Sequence, residues 1–207
     1  LEQLLAGDDP MPAYLFGPSG CGKTHLLQAS CRALGESGRP VAYLSGHSLR
    51  LHPERLDGLD TMALVAVDDV DALAGADAAQ QALFHLYNRS LEGATCLLVA
   101  GAAAPRRLEL ERDDLRTRLS WGSLLRLLPL DEAGLAIALK ARARARGLDL
   151  ADDAAAYLLR ALPRDAKTLF AALEQLDRAA LAARRRLTLP FIRAVLPAAR
   201  ETASEGG

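Results

Sequence analysis

The sequence predicts an α/β fold, a parallel five-stranded sheet flanked by helices and followed by a small all-helical domain, and three observations predict it. Over the first two thirds, short apolar runs alternate with longer stretches of helical periodicity, the order that builds a parallel sheet covered by helices. A glycine-rich loop, Gly17-Pro18-Ser19-Gly20-Cys21-Gly22-Lys23-Thr24, sits between the first apolar run and an amphipathic stretch. After Pro129 the helical period takes over and no convincing strand remains.

The predicted strands are residues 13–16, 41–44, 62–67, 94–100 and 123–127. Between them the period predicts helices over 23–34, 76–91 and 113–119, with Gly35, Gly38 and Gly93 placed where helices stop. The second lobe reads as helices over 131–146, 152–162, 165–183 and 188–196, with Gly147 as a stop and Thr188 followed by Pro190 as a start. The expected division is a nucleotide-binding core over 1–129, a helical lid over 130–199 and a flexible tail over 200–207. No internal repeat is apparent.

Composition excludes several classes. A formal net charge of −1 and an apolar fraction of 50% belong to a globular chain, not to one that coats a polyanion. Aromatics make up only 4% of residues, too few for the stacking platforms of single-strand binders. Cys21, Cys31 and Cys96 form no C-x-x-C pair and leave an odd number, which points away from a disulfide framework or thiolate zinc site and towards a cytoplasmic, reducing environment. No apolar run reaches the ~18 residues of a membrane helix, so no membrane association is expected.

The glycine-rich loop matches G-x-x-x-x-G-K-[ST] in full and in the required strand-to-helix setting. Gly17, Gly20 and Gly22 let backbone amides turn inward on phosphates without an intervening Cβ, and the following helix presents its positive end. Lys23 is expected at the terminal phosphates and Thr24 on a magnesium ion. A second element, Leu64-Val65-Ala66-Val67-Asp68-Asp69, ends an apolar strand in two carboxylates. Asp68 is the expected magnesium partner, and Asp69, turned the other way by strand alternation, the candidate for polarising an attacking water. A strand followed by an acidic helix start is the competing reading of that segment.

Three stretches carry a resemblance: Gly22 to Ala29, Val67-Asp68-Asp69-Val70, and the run Asp114-Leu115-Arg116-Thr117-Arg118-Leu119-Ser120-Trp121-Gly122. Together they resemble the bacterial replication initiator DnaA and its relatives, a family of AAA+ ATPases. Leu83-Phe84-His85-Leu86-Tyr87-Asn88-Arg89, Thr168-Leu169-Phe170, Glu174-Gln175-Leu176-Asp177-Arg178-Ala179 and Leu187-Thr188-Leu189-Pro190-Phe191 are more similar to the Hda branch, regulatory inactivators of DnaA.

The resemblance implies an AAA+ fold that holds ADP or ATP with Mg2+ between core and lid, and an arginine finger at Arg118, with Arg116 as the nearby competitor. His25 belongs to the family phrase after the phosphate loop and is carried with the nucleotide-binding residues, packing or helix capping being the alternative. Lys167 aligns with the lid's sensor arginine; it keeps the charge without the planar two-point contact. The usual polar sensor after the fourth strand falls at Ala102, which cannot orient a water, so weak intrinsic hydrolysis is expected and nucleotide acts mainly as a structural switch. Implied partners are ATP-bound DnaA and the DNA polymerase sliding clamp, with a homodimer left open. The clamp-docking segment of relatives has no counterpart here beyond Gln3-Leu4-Leu5, and without a helix-turn-helix domain no direct sequence-specific DNA binding is expected. The implied function is stimulation of DnaA-bound ATP hydrolysis. The alternatives are a nucleotide-gated adaptor of the replication machinery, the ATPase core of an initiator, or a P-loop kinase for a small metabolite.

Other features have plainer readings. His47, His52 and His85 lack ligand spacing. Lys140, Arg142, Arg144 and Arg146 make no single basic stripe and read as a solvated helix, and Arg184-Arg185-Arg186 closes a helix where cations favour the dipole. Cys21, at a variable loop position, is a candidate for oxidation.

Overall fold

The computed structural model describes residues 11–163, 165–183 and 187–196. They fall into two compact units that divide between Leu128 and Pro129.

Five strands, β1 Ala13–Phe16, β2 Val41–Ser45, β3 Leu64–Asp68, β4 Cys96–Gly101 and β5 Ser123–Arg126, form one sheet in the order β2-β3-β4-β1-β5. Every pairing is parallel. The chain leaves β1 for the far edge, returns through β3 and β4, and places β5 on the other side of β1. The order therefore reverses at β1, and the crevice beyond the carboxyl ends of strands at such a reversal is where open α/β sheets bind ligands.

Parallel strands need crossovers, and helices α1 Lys23–Glu36, α2 Gly46–Leu51, α3 Asp77–Glu92 and α4 Asp113–Leu119 supply them. Strand alternation divides the core between the two faces. Tyr14, Val65, Val67, Leu97 and Val99 pack with Leu83, Leu86 and Tyr87 of α3 and Leu115 and Leu119 of α4. Ala13, Leu15, Leu64, Ala66, Leu98 and Ala100 pack with Leu27 and Cys31 of α1. The interior strand β3 is buried along its whole length, which is why it reads as an apolar run up to Asp68.

Short segments of the core differ from the sequence reading. Helix α2 and 3-10 turns at Pro53–Leu56, Leu59–Thr61, Val70–Leu73 and Pro105–Arg107 occupy regions with too little periodicity to register. Leu49, Leu56, Val70 and Leu73 nevertheless anchor this region with side chains fully removed from solvent, each worth about 1.5–3 kcal/mol of burial.

The second unit contains α5 Glu132–Ala145, α6 Asp152–Ala161, α7 Ala166–Ala183 and α8 Leu189–Val195 around Leu139, Leu158, Leu169, Leu173, Leu176 and Ile192. Asp131 caps α5, its carboxylate accepting from the Gly134 N–H at 2.7 Å. The cations of α5 do not simply face water. Lys140 pairs with Asp152, Arg142 with Glu174, and Arg146 with both Glu174 and Asp177. Lys140, Arg142 and Arg146 are thus paired within the unit, and Arg144 is exposed. Arg184 to Arg186, Gln3 to Leu5 and the 200–207 tail lie outside the described residues. Among the described residues no helix is long and apolar enough to cross a membrane.

Candidate functional site

Register brings the sequence-predicted groups to one edge. Ser45 stands opposite Asp68, and Phe16 opposite Gly101, so the carboxyl ends of β2, β3, β4 and β1 open on the same side of the sheet. Gly17 to Thr24 leave β1 there, Asp68 and Asp69 leave β3, and Ala102 leaves β4.

The loop's glycines have distinct reasons. Gly20 and Gly22 have φ of +80° and +98°, the left-handed region that L side chains rarely enter, and the places where their Cβ atoms would lie are open. Gly17 is a packing glycine: a Cβ there would come within 2.3 Å of the Leu127 carbonyl oxygen. Cys21 is also packed away, 7% exposed, so the burial that shapes the loop shields its thiol. Pro18, Ser19 and Gly20 are exposed on the loop's outer turn.

Lys23 is 8% exposed, and its ammonium donates to the carbonyls of Gly17 at 2.8 Å and Pro18 at 3.1 Å. Two of its three protons are engaged by the loop, and one remains for an anion. Gly22 is the N-cap of α1, no side chain caps that end, and the first turn holds no acidic residue. The first N–H groups of a helix have no partner within it, so an anion is the natural complement. Thr24 and His25 are exposed on this turn.

The two carboxylates have opposite environments. Asp68 is 1% exposed at the end of β3. The Tyr43 hydroxyl donates to its Oδ2 at 2.9 Å and the Asp69 N–H to its Oδ1 at 3.0 Å. Asp69 is exposed and lies outside the strand, with φ 50° and ψ 51°. It is the one non-glycine residue of positive φ among the described residues. A left-handed turn, not the strand alternation expected from sequence, therefore aims its side chain. Aspartate tolerates that conformation better than most residues. Partial burial, and next the neighbouring Asp68 charge, raise the Asp69 carboxyl above its ordinary value, while His47 and Lys23 pull it back. His47 on α2 thus belongs to the electrostatic surroundings of the site, although no ligand spacing marked it.

Two further glycines shape the edge and were not singled out by sequence. A Cβ on Gly46 would fall 2.2 Å from the Asp69 carbonyl oxygen, and one on Gly101 would fall 2.1 Å from the Tyr14 hydroxyl. Beneath Gly101, Tyr14 donates to the Ala103 carbonyl at 2.9 Å and Asp71 accepts from the Ala102 N–H at 2.7 Å. Burial raises the Tyr14 pKa, so the hydroxyl stays a donor. Ala102 itself is exposed with its amide already engaged.

Arg118 and Arg116 share α4 and differ in engagement. Arg116 pairs with Asp113 and reaches the Leu108 carbonyl at 3.4 Å. Arg118 has no carboxylate partner among the described residues; its guanidinium lies 4.2 Å from the centroid of the Trp121 ring, and Trp121 is 61% exposed. Lys167 falls within α7, with its side chain outside the described residues.

Comparison with known proteins agrees with this architecture. The family profile of the bacterial DnaA ATPase domain matches residues 5–126, and that of the Hda lid domain matches residues 125–196. Domain III of the Thermotoga maritima replication initiation protein DnaA is similar at a TM-score of 0.78 and 20% identity, over 94% of this chain and 87% of that one. AMPPCP-bound DnaA from Aquifex aeolicus is similar at a TM-score of 0.70 and 23% identity, over 88% of this chain and 63% of that one. The Thermotoga maritima RuvB Holliday junction branch migration motor is more distant, at a TM-score of 0.65 and 17% identity over 94% of this chain and 63% of that one. The chain thus spans less than two thirds of the length of these last two proteins. At such identities the structural likeness establishes the fold, a parallel AAA+ core followed by a helical lid.

Proposed function

This chain belongs to the bacterial DnaA ATPase family with an Hda-type lid, and on that premise we propose that it is a nucleotide-bound regulator of replication initiation. In this reading it holds ADP or ATP at residues 17–24, docks on ATP-loaded DnaA, and with the DNA-loaded sliding clamp presents Arg118 to DnaA's nucleotide. Hydrolysis of DnaA-bound ATP then inactivates the initiator. The observation that carries the reading is the Hda-type lid sequence directly behind a DnaA-type core.

The residues present suit the cofactors. Thr24 and Asp68 offer only hard oxygen donors, the set magnesium prefers beside phosphates. Bound Mg2+ would neutralise charge on the terminal phosphates. Lys23 supplies the third proton of its ammonium and the uncapped start of α1 its N–H groups. Asp69, exposed and with a raised proton affinity, can accept a hydrogen bond from an attacking water and orient it. The guanidinium of Arg118, propped on an exposed indole and without a carboxylate partner among the described residues, suits action on a neighbour's phosphate better than the ion-paired Arg116 does.

Ala102 favours a second reading. With a methyl side chain and an engaged amide it cannot orient a water, so nucleotide here could serve only to gate docking, as in a non-catalytic adaptor. Release of labelled phosphate from ATP–DnaA, measured with clamped DNA and with or without this protein, separates the two. Accelerated release supports the regulator, and nucleotide-dependent capture of DnaA without acceleration supports the adaptor.

A further inference from the structure

The cation side of the site contains a residue that neither motif includes. Asp68 is 1% exposed, and a buried carboxylate is costly unless donors satisfy it. Among the described residues it has two donors, the Asp69 N–H and the Tyr43 hydroxyl, and no basic side chain pairs with it. The Lys23 ammonium is turned to the loop carbonyls instead. Tyr43 lies two residues before Ser45 on β2, the strand paired with β3, and reaches along the sheet to Oδ2. Tyr43 is 38% exposed and belongs to none of the core clusters. A large aromatic thus stands at the sheet's edge with its polar end on one buried acid.

We propose that Tyr43 is a positioning residue for the divalent cation: its hydroxyl, with the Asp69 amide, fixes the rotation of the Asp68 carboxylate and leaves the other lone pairs for the hydrated ion. A carboxylate accepts at about four positions, and two are taken here. Held in one orientation, it meets the cation without first losing rotational freedom, and outer groups that orient a ligand typically alter metal affinity by about 10–100-fold.

The inference rests on the nucleotide site proposed above, and one titration tests both. Binding of N-methylanthraniloyl-ATP by the full chain is followed by fluorescence in EDTA and across a Mg2+ series, for wild type, Tyr43→Phe and Asp68→Ala. Wild type is expected to gain affinity with Mg2+, and Asp68→Ala to lose that gain. Tyr43→Phe is expected to match wild type in EDTA while needing about tenfold more Mg2+ for half of the gain. Superimposable Mg2+ curves for Tyr43→Phe and wild type overturn the inference and leave the nucleotide site standing. So does an equal loss of affinity with and without Mg2+, which would mark Tyr43 as structural only. Failure of wild type to bind the nucleotide in any condition overturns the proposed site itself.

Discussion

The Arg118 guanidinium rests 4.2 Å from the centre of the Trp121 ring, at the end of a helix whose other arginine, Arg116, is tied to Asp113. Stacking holds the cation without neutralising it, whereas a carboxylate partner would spend its charge. The resemblance favours Arg118 over Arg116, and their neighbours differ in the structure as well.

Substituting each arginine distinguishes reach from support. Arg118→Ala is expected to abolish stimulated hydrolysis by ATP–DnaA, a fall of about 10³-fold or more if it acts as a finger, while the melting temperature stays put. Arg116→Ala is expected to retain most stimulation and to lower stability by at most about 1 kcal/mol, the scale of an exposed pair. Phosphate release under single-turnover conditions and thermal unfolding check both.

Lys23→Ala removes the ammonium that bridges the Gly17 and Pro18 carbonyls and that the proposed function assigns to the phosphates. Loss of charge-assisted bonds, roughly 1.5–3 kcal/mol each, predicts a drop in nucleotide affinity of about 100-fold. Calorimetric titration with ATP and Mg2+ reads it directly, and unchanged affinity would remove Lys23 from the site.

Gly46→Ala forces a methyl to within 2.2 Å of the Asp69 carbonyl, backbone against backbone with no flexible end to yield. A loss of about 1–3 kcal/mol is expected, seen as a lower melting temperature, together with weaker nucleotide binding because Asp69 must move. A Gly38→Ala control strains only its own backbone, since nothing lies within 4 Å of its Cβ.

Asp69 gives a pH signature of defined sign. Its carboxyl is raised in the folded state above the ordinary 3.8, by partial burial first and by Asp68 second. Above 3.8 the folded chain binds the extra proton, so this group makes stability fall as pH rises through the window up to its folded value. Asp69→Asn keeps a residue that accepts the left-handed backbone and removes the charge. It is expected to melt higher than wild type at neutral pH, with the gap closing towards pH 4. A gap that widens on acidification would contradict the assigned environment.

The parallel sheet, its strands and the glycine-rich loop were legible from sequence because each rests on local physics. Strands β1 and β3 announce themselves as short apolar runs, and Gly20, Gly22 and Lys23 satisfy a motif whose spacing is set by backbone reach. The helix α2 and the turns between it and β3 were not legible: Leu49, Leu56 and Leu73 are apolar at no regular interval, and their burial is decided by what packs on them. The backbone at Asp69 was not legible for a related reason, since β3 ends at Asp68 and a left-handed turn follows it.

What the sequence determined by itself was the class of fold, the order of its parts and the glycine-rich loop between β1 and α1, all consequences of periodicity and of short-range chemistry. Tertiary structure alone decided that Tyr43 bonds to Asp68, that Gly46 and Gly101 let Asp69 and Tyr14 approach, and that Arg118 stacks on Trp121 while Arg116 pairs with Asp113. Those relations join residues that strand pairing and packing bring together from distant parts of the chain or, within α4, from neighbours whose partners no pattern encodes.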